Sequence, residues 1–222
     1  MSQPKYRAVI FDLDGTLLDT LDDLMEAINE ALSQQGFPCR TREEVRTFVG
    51  NGLGMLVHRA LPPVQREDEE ISRQTLTALK TYYASHNNVF TRPYEGIQTM
   101  LRALKEKGLR LAIVSNKNDP NVKELTRVYF PDTIELAAGE SPTVRRKPNP
   151  DMVRLVMETF GVTPEETLYV GDSEVDIQTA ANAGIPCAIV TWGFRTRAEL
   201  RAAGAGEMWD TPEQLTRMIL GE

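Results

Sequence analysis

The chain has 222 residues, of which 41% are hydrophobic and 26% charged, a globular composition with ample core material for one large domain or two modest ones. Lys and Arg number 25 against 32 Asp and Glu, and the net charge of −7 repels phosphate backbones and anionic lipid, so neither nucleic acid nor a membrane is an expected partner. No apolar run approaches the ~20 residues that span a bilayer, the opening "MSQPKYRAVIFDLD" has no signal-peptide pattern, and Cys39 and Cys187 form no spaced framework, reading as buried or half-buried small apolar groups. The expected address is the cytoplasm.

Residues 8–11, "AVIF", are a short continuous apolar run, the signature of a strand buried on both faces of a parallel sheet. It leads straight into Asp12, Asp14 and Gly15. From about residue 20 to 86 the pattern turns helical. Leu21, Leu24, Met25, Ile28, Ala31 and Leu32 trace the apolar face of a long amphipathic helix. Thr41 with Glu44 forms a capping box, and further helical stretches cover residues 55–61 and 69–83. Between helices, Gly50-Asn51-Gly52 predicts a tight, side-chain-poor turn that can approach a ligand.

The strand–helix alternation resumes near Arg92-Pro93. Ile97, Met100, Leu101 and Leu104 form a helical stripe closed by Gly108, and a strand follows at residues 109–114. A weaker apolar run covers residues 134–138. A second stripe contains Met152, Leu155 and Val156, and further strands fall at residues 168–170 and 185–190. Thr211-Pro212 with Gln214 reads as N-cap, first-turn proline and capping-box partner of a last helix. This order predicts an α/β fold, a doubly wound parallel sheet with an all-helical insertion after the first strand. Residues 1–16 and 91–222 make the core and 17–90 the insertion.

Open parallel sheets bind ligands outside the carboxyl ends of their strands. The polar residues expected there are Asp12 and Asp14, the Ser115-Asn116-Lys117 strand end, and Asp172 and Asp176 in "GDSEVD". Lys147 in "RRKPNP" stands just before the helix expected from Asp151. Asp12 and Asp14, two apart, project to the same side of an extended chain, and Gly15 supplies the sharp exit. Two close carboxylates repel, and one would ordinarily keep a proton. A divalent cation removes the conflict, and hard oxygen ligands without His or Cys nearby suit Mg²⁺. Asp172 offers a second carboxylate, and Lys147 with the Ser115 hydroxyl are the cation and donor expected around a transferring phosphoryl group.

"FDLDGTLLDT" resembles the DxDGT motif of haloacid dehalogenase superfamily phosphatases, and Ser115, Lys147 and "GDSEVD" resemble their other three motifs in order. The resemblance implies a Rossmannoid core whose helical insertion is a cap. It implies Asp12 as nucleophile, forming an aspartyl-phosphate, and as metal ligand. Asp14 is implied as general acid and then base, with its backbone carbonyl on Mg²⁺. Asp172 is the implied direct metal ligand and Asp176 an outer one, while Gly15, Thr16, Ser115, Asn116 and Lys147 surround the phosphoryl group. The loop Gly50, Asn51, Gly52 is similar to the cap loop of phosphoglycolate phosphatases, as is "GDSEVDIQTAANAGI" to their fourth motif. Together they imply a small phosphorylated metabolite as substrate. A monomer or small homo-oligomer is expected, a point on which these motifs are silent.

Alternatives within the superfamily are a pyrophosphatase, a sugar-phosphate phosphatase or a phosphomutase. The dehalogenase branch lacks an acid at the position of Asp14. A phosphonatase needs a Schiff-base lysine in its cap, where Lys80 stands alone without supporting features. A non-catalytic phosphate-binding scaffold is disfavoured because the whole catalytic set is intact.

Overall fold

The computed structural model describes residues 5–222; the opening "MSQP", part of the stretch read for a leader, lies outside them. The chain divides into two compact units, one holding the chain up to Leu18 with Pro93–Glu222, the other Asp19–Arg92. The sequence had placed these crossings at 16/17 and 90/91.

The first unit carries β1 (Ala8–Phe11), and the crossings coincide with two short strands, β2 (Leu18–Asp19) and β3 (Arg92–Pro93). The remaining strands are β4 (Arg110–Asn118), β5 (Leu136–Glu140), β6 (Thr167–Gly171), β7 (Cys187–Val190) and β8 (Met208–Trp209). Six of them form one parallel sheet in the order β5-β4-β1-β6-β7-β8. The order reverses at β1, which pairs with β4 on one side and β6 on the other. Ala8 lies opposite both Arg110 and Thr167.

Period-two alternation sorts the side chains onto two faces. Val9, Phe11, Leu111, Ile113, Leu168 and Val170 pack with helices α5 (Ile97–Glu106), α6 (Asp119–Tyr129) and α10 (Pro212–Leu220), through residues such as Leu101, Leu125 and Leu215. Ala8, Ile10, Ala112, Val114 and Tyr169 pack instead with α7 (Asp151–Phe160) and α8 (Glu174–Ala183). Helices therefore cover both faces, as a sheet of apolar strands requires. A short α9 (Arg197–Ala202) precedes β8.

Local chemistry shifts several expected details. The apolar face of α7 is Met152, Val153, Val156 and Phe160, and Leu155 turns outward at 40% exposure. β7 begins only at Cys187, after Pro186, which has no N–H to give the ladder. Thr211 caps α10 by accepting from the Gln214 N–H, but the Gln214 side chain accepts from Asp210 N–H rather than Thr211, so the box is not reciprocal. Cys39 is exposed and only Cys187 is half-buried.

The second unit holds α1 (Leu21–Ser33), α2 (Arg42–Phe48), α3 (Gly52–Ala60) and α4 (Glu69–His86), with a short 3₁₀ turn at Pro63–Gln65. α1 packs against the other three through Leu24, Ala27, Ile28, Ala31 and Leu32, and α4 answers with Leu79 and Tyr83. The expected capping box, Thr41 with Glu44, starts α2. No helix among the described residues is long and apolar enough to cross a membrane.

Candidate active site

Three adjacent strands, β4, β1 and β6, end at the point where strand order reverses, and there the sheet opens a crevice. Asp12 directly follows β1, and its N–H still reaches the Val170 carbonyl (2.9 Å). The chain then turns tightly, with the N–H groups of Thr16, Leu17 and Leu18 all directed at the Leu13 carbonyl. Gly15 sits in this turn at φ 84°, and a Cβ there would lie 2.4 Å from an Asp172 oxygen, so backbone and space both require glycine.

β4 runs on to Asn118, and its alternation divides the strand end. Ser115 and Lys117 face Asp14: the Ser115 Oγ is 3.5 Å from Oδ2, and the Lys117 Nζ 3.0 Å from Oδ1. Asn116 faces the other way and grips the backbone of Lys147, its Oδ1 accepting from the N–H (2.7 Å) and its Nδ2 donating to the carbonyl (3.1 Å). The Asn118 side chain, not Ser115 or Asn116, caps α6, accepting from Asn121 N–H.

Held this way, Lys147 reaches into the site with its side chain 2% exposed. Its ammonium has three donors, and three acceptors meet it: Asp12 Oδ1 at 2.8 Å, Asp176 Oδ1 at 2.8 Å and the Tyr169 hydroxyl at 3.1 Å. Tyr169, buried in β6, donates in turn to Asp176 Oδ1 (3.0 Å). The other Asp176 oxygen accepts from the N–H groups of Asp172 and Ser173 and from the Ser173 hydroxyl (2.6 Å). Asp172 is fixed by the Thr16 hydroxyl on Oδ1 (3.1 Å) and the Phe194 N–H on Oδ2 (2.7 Å).

Oxygens of Asp12, Asp172 and Asp176 lie within 4.8 Å of one another, and all three side chains are buried. Burial pushes the Asp12 carboxyl well above the usual carboxylate range; Lys147 opposes this, while Asp176 and Asp172 add repulsion. Asp172 is raised to about 7 by burial and by Asp176, against the Phe194 N–H, Arg195 and Thr16. Burial alone would lower Lys147, but Asp12 and Asp176 outweigh it and hold the ammonium above its ordinary value. Three hard oxygen donors that repel one another in a desolvated crevice are a donor set suited to a small divalent cation, whose charge offsets that repulsion.

The structure thus unites Asp12, Asp172, Asp176 and Lys147. The Asp14 carboxylate stands apart from the three-carboxylate cluster, turned to Lys117. Thr16 and Asn116, expected at the substrate, commit their side chains to Asp172 and to the Lys147 backbone. In the second unit, the expected loop has Gly50 at φ 111° and Gly52 at φ 79°, and the Asn51 Oδ1 accepts from Arg59 (3.1 Å). Arg59 also donates to the Phe48 carbonyl (2.8 Å), so the turn is braced from within its own unit. Arg145 pairs with Asp151 at the surface, and the Trp192 Nε1 donates to the Thr16 carbonyl (3.0 Å). Tyr169 escaped sequence reasoning, and Lys117, expected only as part of a polar strand end, was given no role there. Two-residue alternation from Ser115 points to Lys117, whereas nothing in "TLYVG" separates Tyr169 from a core tyrosine.

A family model described as haloacid dehalogenase-like hydrolase matches residues 9–190. A phosphoglycolate phosphatase of Thiobacillus denitrificans is 35% identical over 191 residues, covering 85% of this chain and 84% of that protein. One from Vibrio vulnificus is 32% identical over 229 aligned positions and covers 99% of both chains. A crystal structure from Lactobacillus delbrueckii subsp. bulgaricus, described as a candidate phosphoglycolate phosphatase, aligns with a TM-score of 0.93 at 37% identity. It covers 98% of this chain and 100% of that one.

Proposed function

The chain belongs to the haloacid dehalogenase-like hydrolase family, as a phosphatase similar to phosphoglycolate phosphatases, and from that premise we propose that it hydrolyses a small phosphomonoester of the phosphoglycolate type through an aspartyl-phosphate, with Mg²⁺ as cofactor. The observation that carries the reading is the convergence of Asp12 with Lys147 at 2.8 Å inside the buried three-carboxylate cluster.

Asp12 is the nucleophile: its carboxylate oxygen bonds to phosphorus while the bond from phosphorus to the ester oxygen breaks. Lys147 and the Ser115 hydroxyl face the charge that gathers on the equatorial oxygens. Asp14 gives a proton to the departing oxygen. In the second displacement it takes one from the water that attacks the phospho-aspartate, and Asp12 is regenerated as phosphate leaves. Asp12, Asp172 and the Asp14 carbonyl would hold Mg²⁺, with Asp176 as outer support, and the cation would supply charge neutralisation for phosphate and carboxylates. Thr16 and the Phe194 N–H orient Asp172. The Gly50-Asn51-Gly52 turn is the element to which we assign selection among phosphate esters.

Two measurements test this. Comparison of kcat/KM across phosphoglycolate, pyrophosphate and sugar phosphates should rank phosphoglycolate first; pyrophosphate or a sugar phosphate at the head of the ranking refutes the substrate assignment. Asp12→Asn should lower kcat by at least about 10⁴-fold on every ester and abolish the beryllium fluoride adduct. A near-normal rate in that variant rules out the covalent route.

A further inference from the structure

The site contains two lysines with separate duties. Lys147 stands against Asp12 and Asp176, while Lys117, its side chain 7% exposed, has its Nζ 3.0 Å from Asp14 Oδ1. Burying a second ammonium is costly, and the nucleophile's charge is already answered by Lys147. We propose that Lys117 is a specificity-determining residue that pairs with a carboxylate carried on the leaving group of the substrate. This rests on the reading above that Asp14 protonates the departing oxygen.

Reach supports the assignment. A group that hands a proton to the bridging oxygen sits about 2.7 Å from it. Where the same Asp14 oxygen faces Lys117, the ammonium and the bridging oxygen are at most about 6 Å apart. A carboxylate one methylene beyond the bridging oxygen has its own oxygens about 3 Å from it, so one turned toward β4 can reach hydrogen-bond length of Nζ. A neutral leaving group offers Lys117 no charge, and a much longer acid carries its carboxylate past it. Ser115 faces the same carboxyl from the other oxygen, so on the β4 rim Lys117 is the cation next to the proton donor while the Ser115 hydroxyl serves the phosphoryl group.

The test uses the full chain with Mg²⁺ and a matched pair of esters, phosphoglycolate and 2-hydroxyethyl phosphate, which differ by the carboxylate. Lys117→Met should lose at least about thirtyfold more kcat/KM on phosphoglycolate than on the neutral ester, chiefly through KM, with Lys117→Arg recovering part of the difference. Lys117→Gln provides the same readout should the methionine variant not fold. Equal losses on both esters overturn the inference while leaving the substrate reading intact, since Lys117 would then serve Asp14 alone. A wild-type enzyme that hydrolyses both esters equally well overturns the inference and the substrate reading together, while Asp12→Asn still reports separately on the phosphatase chemistry.

Discussion

Asn116 shows how much of this site depends on residues that never need to touch phosphate. Its carboxamide accepts from and donates to the two backbone groups of Lys147, and by fixing that backbone it aims an ammonium at Asp12 and Asp176. Removing the amide leaves a buried N–H and a buried carbonyl without those partners, at a cost of about 1–3 kcal/mol. Asn116→Ala is therefore expected to lower stability by that amount in urea denaturation and to lower kcat, because the lysine loses its aim. Unchanged kcat at reduced stability would show that Lys147 is positioned without the clamp. Asn116 was legible in the sequence as a polar strand-end residue. Its partner was not, because residues 116 and 147 meet only through the path of α6, β5 and the loop that follows.

At the scale of an element, α1 makes the same point with opposite sign. Acidic side chains in the first turn of a helix are favoured by its dipole and ordinarily stay near the surface; α1 carries two there, Asp22 and Asp23. Asp22 fits, half-buried against Arg42. Asp23 does not: it is 1% exposed and accepts from the N–H groups of Val89, Phe90 and Thr91 and from the Thr91 hydroxyl (2.6 Å). One carboxylate thereby organises the segment after α4, a stretch with no periodicity to predict it. Asp23→Ala should destabilise the protein by about 2–4 kcal/mol through several unpaired donors, with Asp23→Asn in between. A change below about 0.5 kcal/mol in chemical denaturation would mean that water replaces the carboxylate at no cost. The helix itself was readable because a 3.6-residue stripe is a local property.

For the whole molecule, the crevice at the strand-order reversal concentrates carboxylates where water is scarce, and this couples metal, proton and stability. Asp172 has an ordinary value of 3.8 and a folded value of about 7. Between those values the folded chain holds a proton that the unfolded chain has released. Stability of the EDTA-treated protein is therefore favoured below about pH 4 by this group and declines as pH rises through about 7. Mg²⁺ competes with that proton, so it should raise Tm more at about pH 8 than at about pH 5. Calorimetry with and without Mg²⁺ at both pH values checks this, and an equal rise at both contradicts the carboxylate cluster as the cation's seat.

The parallel sheet, the helical insertion, the strand ends that carry Asp12, Ser115 and Asp172, and the glycine turn after β1 were all determined by the amino-acid sequence alone. Each follows from apolar periodicity, capping chemistry or a backbone demand within a few residues. Only the tertiary structure decided which polar atoms meet: Lys117 with Asp14, Asn116 with the Lys147 backbone, Thr16 with Asp172, Tyr169 with Asp176. Those pairings depend on how parallel strands register and on where a loop returns, distances along the chain of up to 156 residues. No local pattern encodes them, because hydrogen bonds between distant residues are chosen by the packing that brings them together.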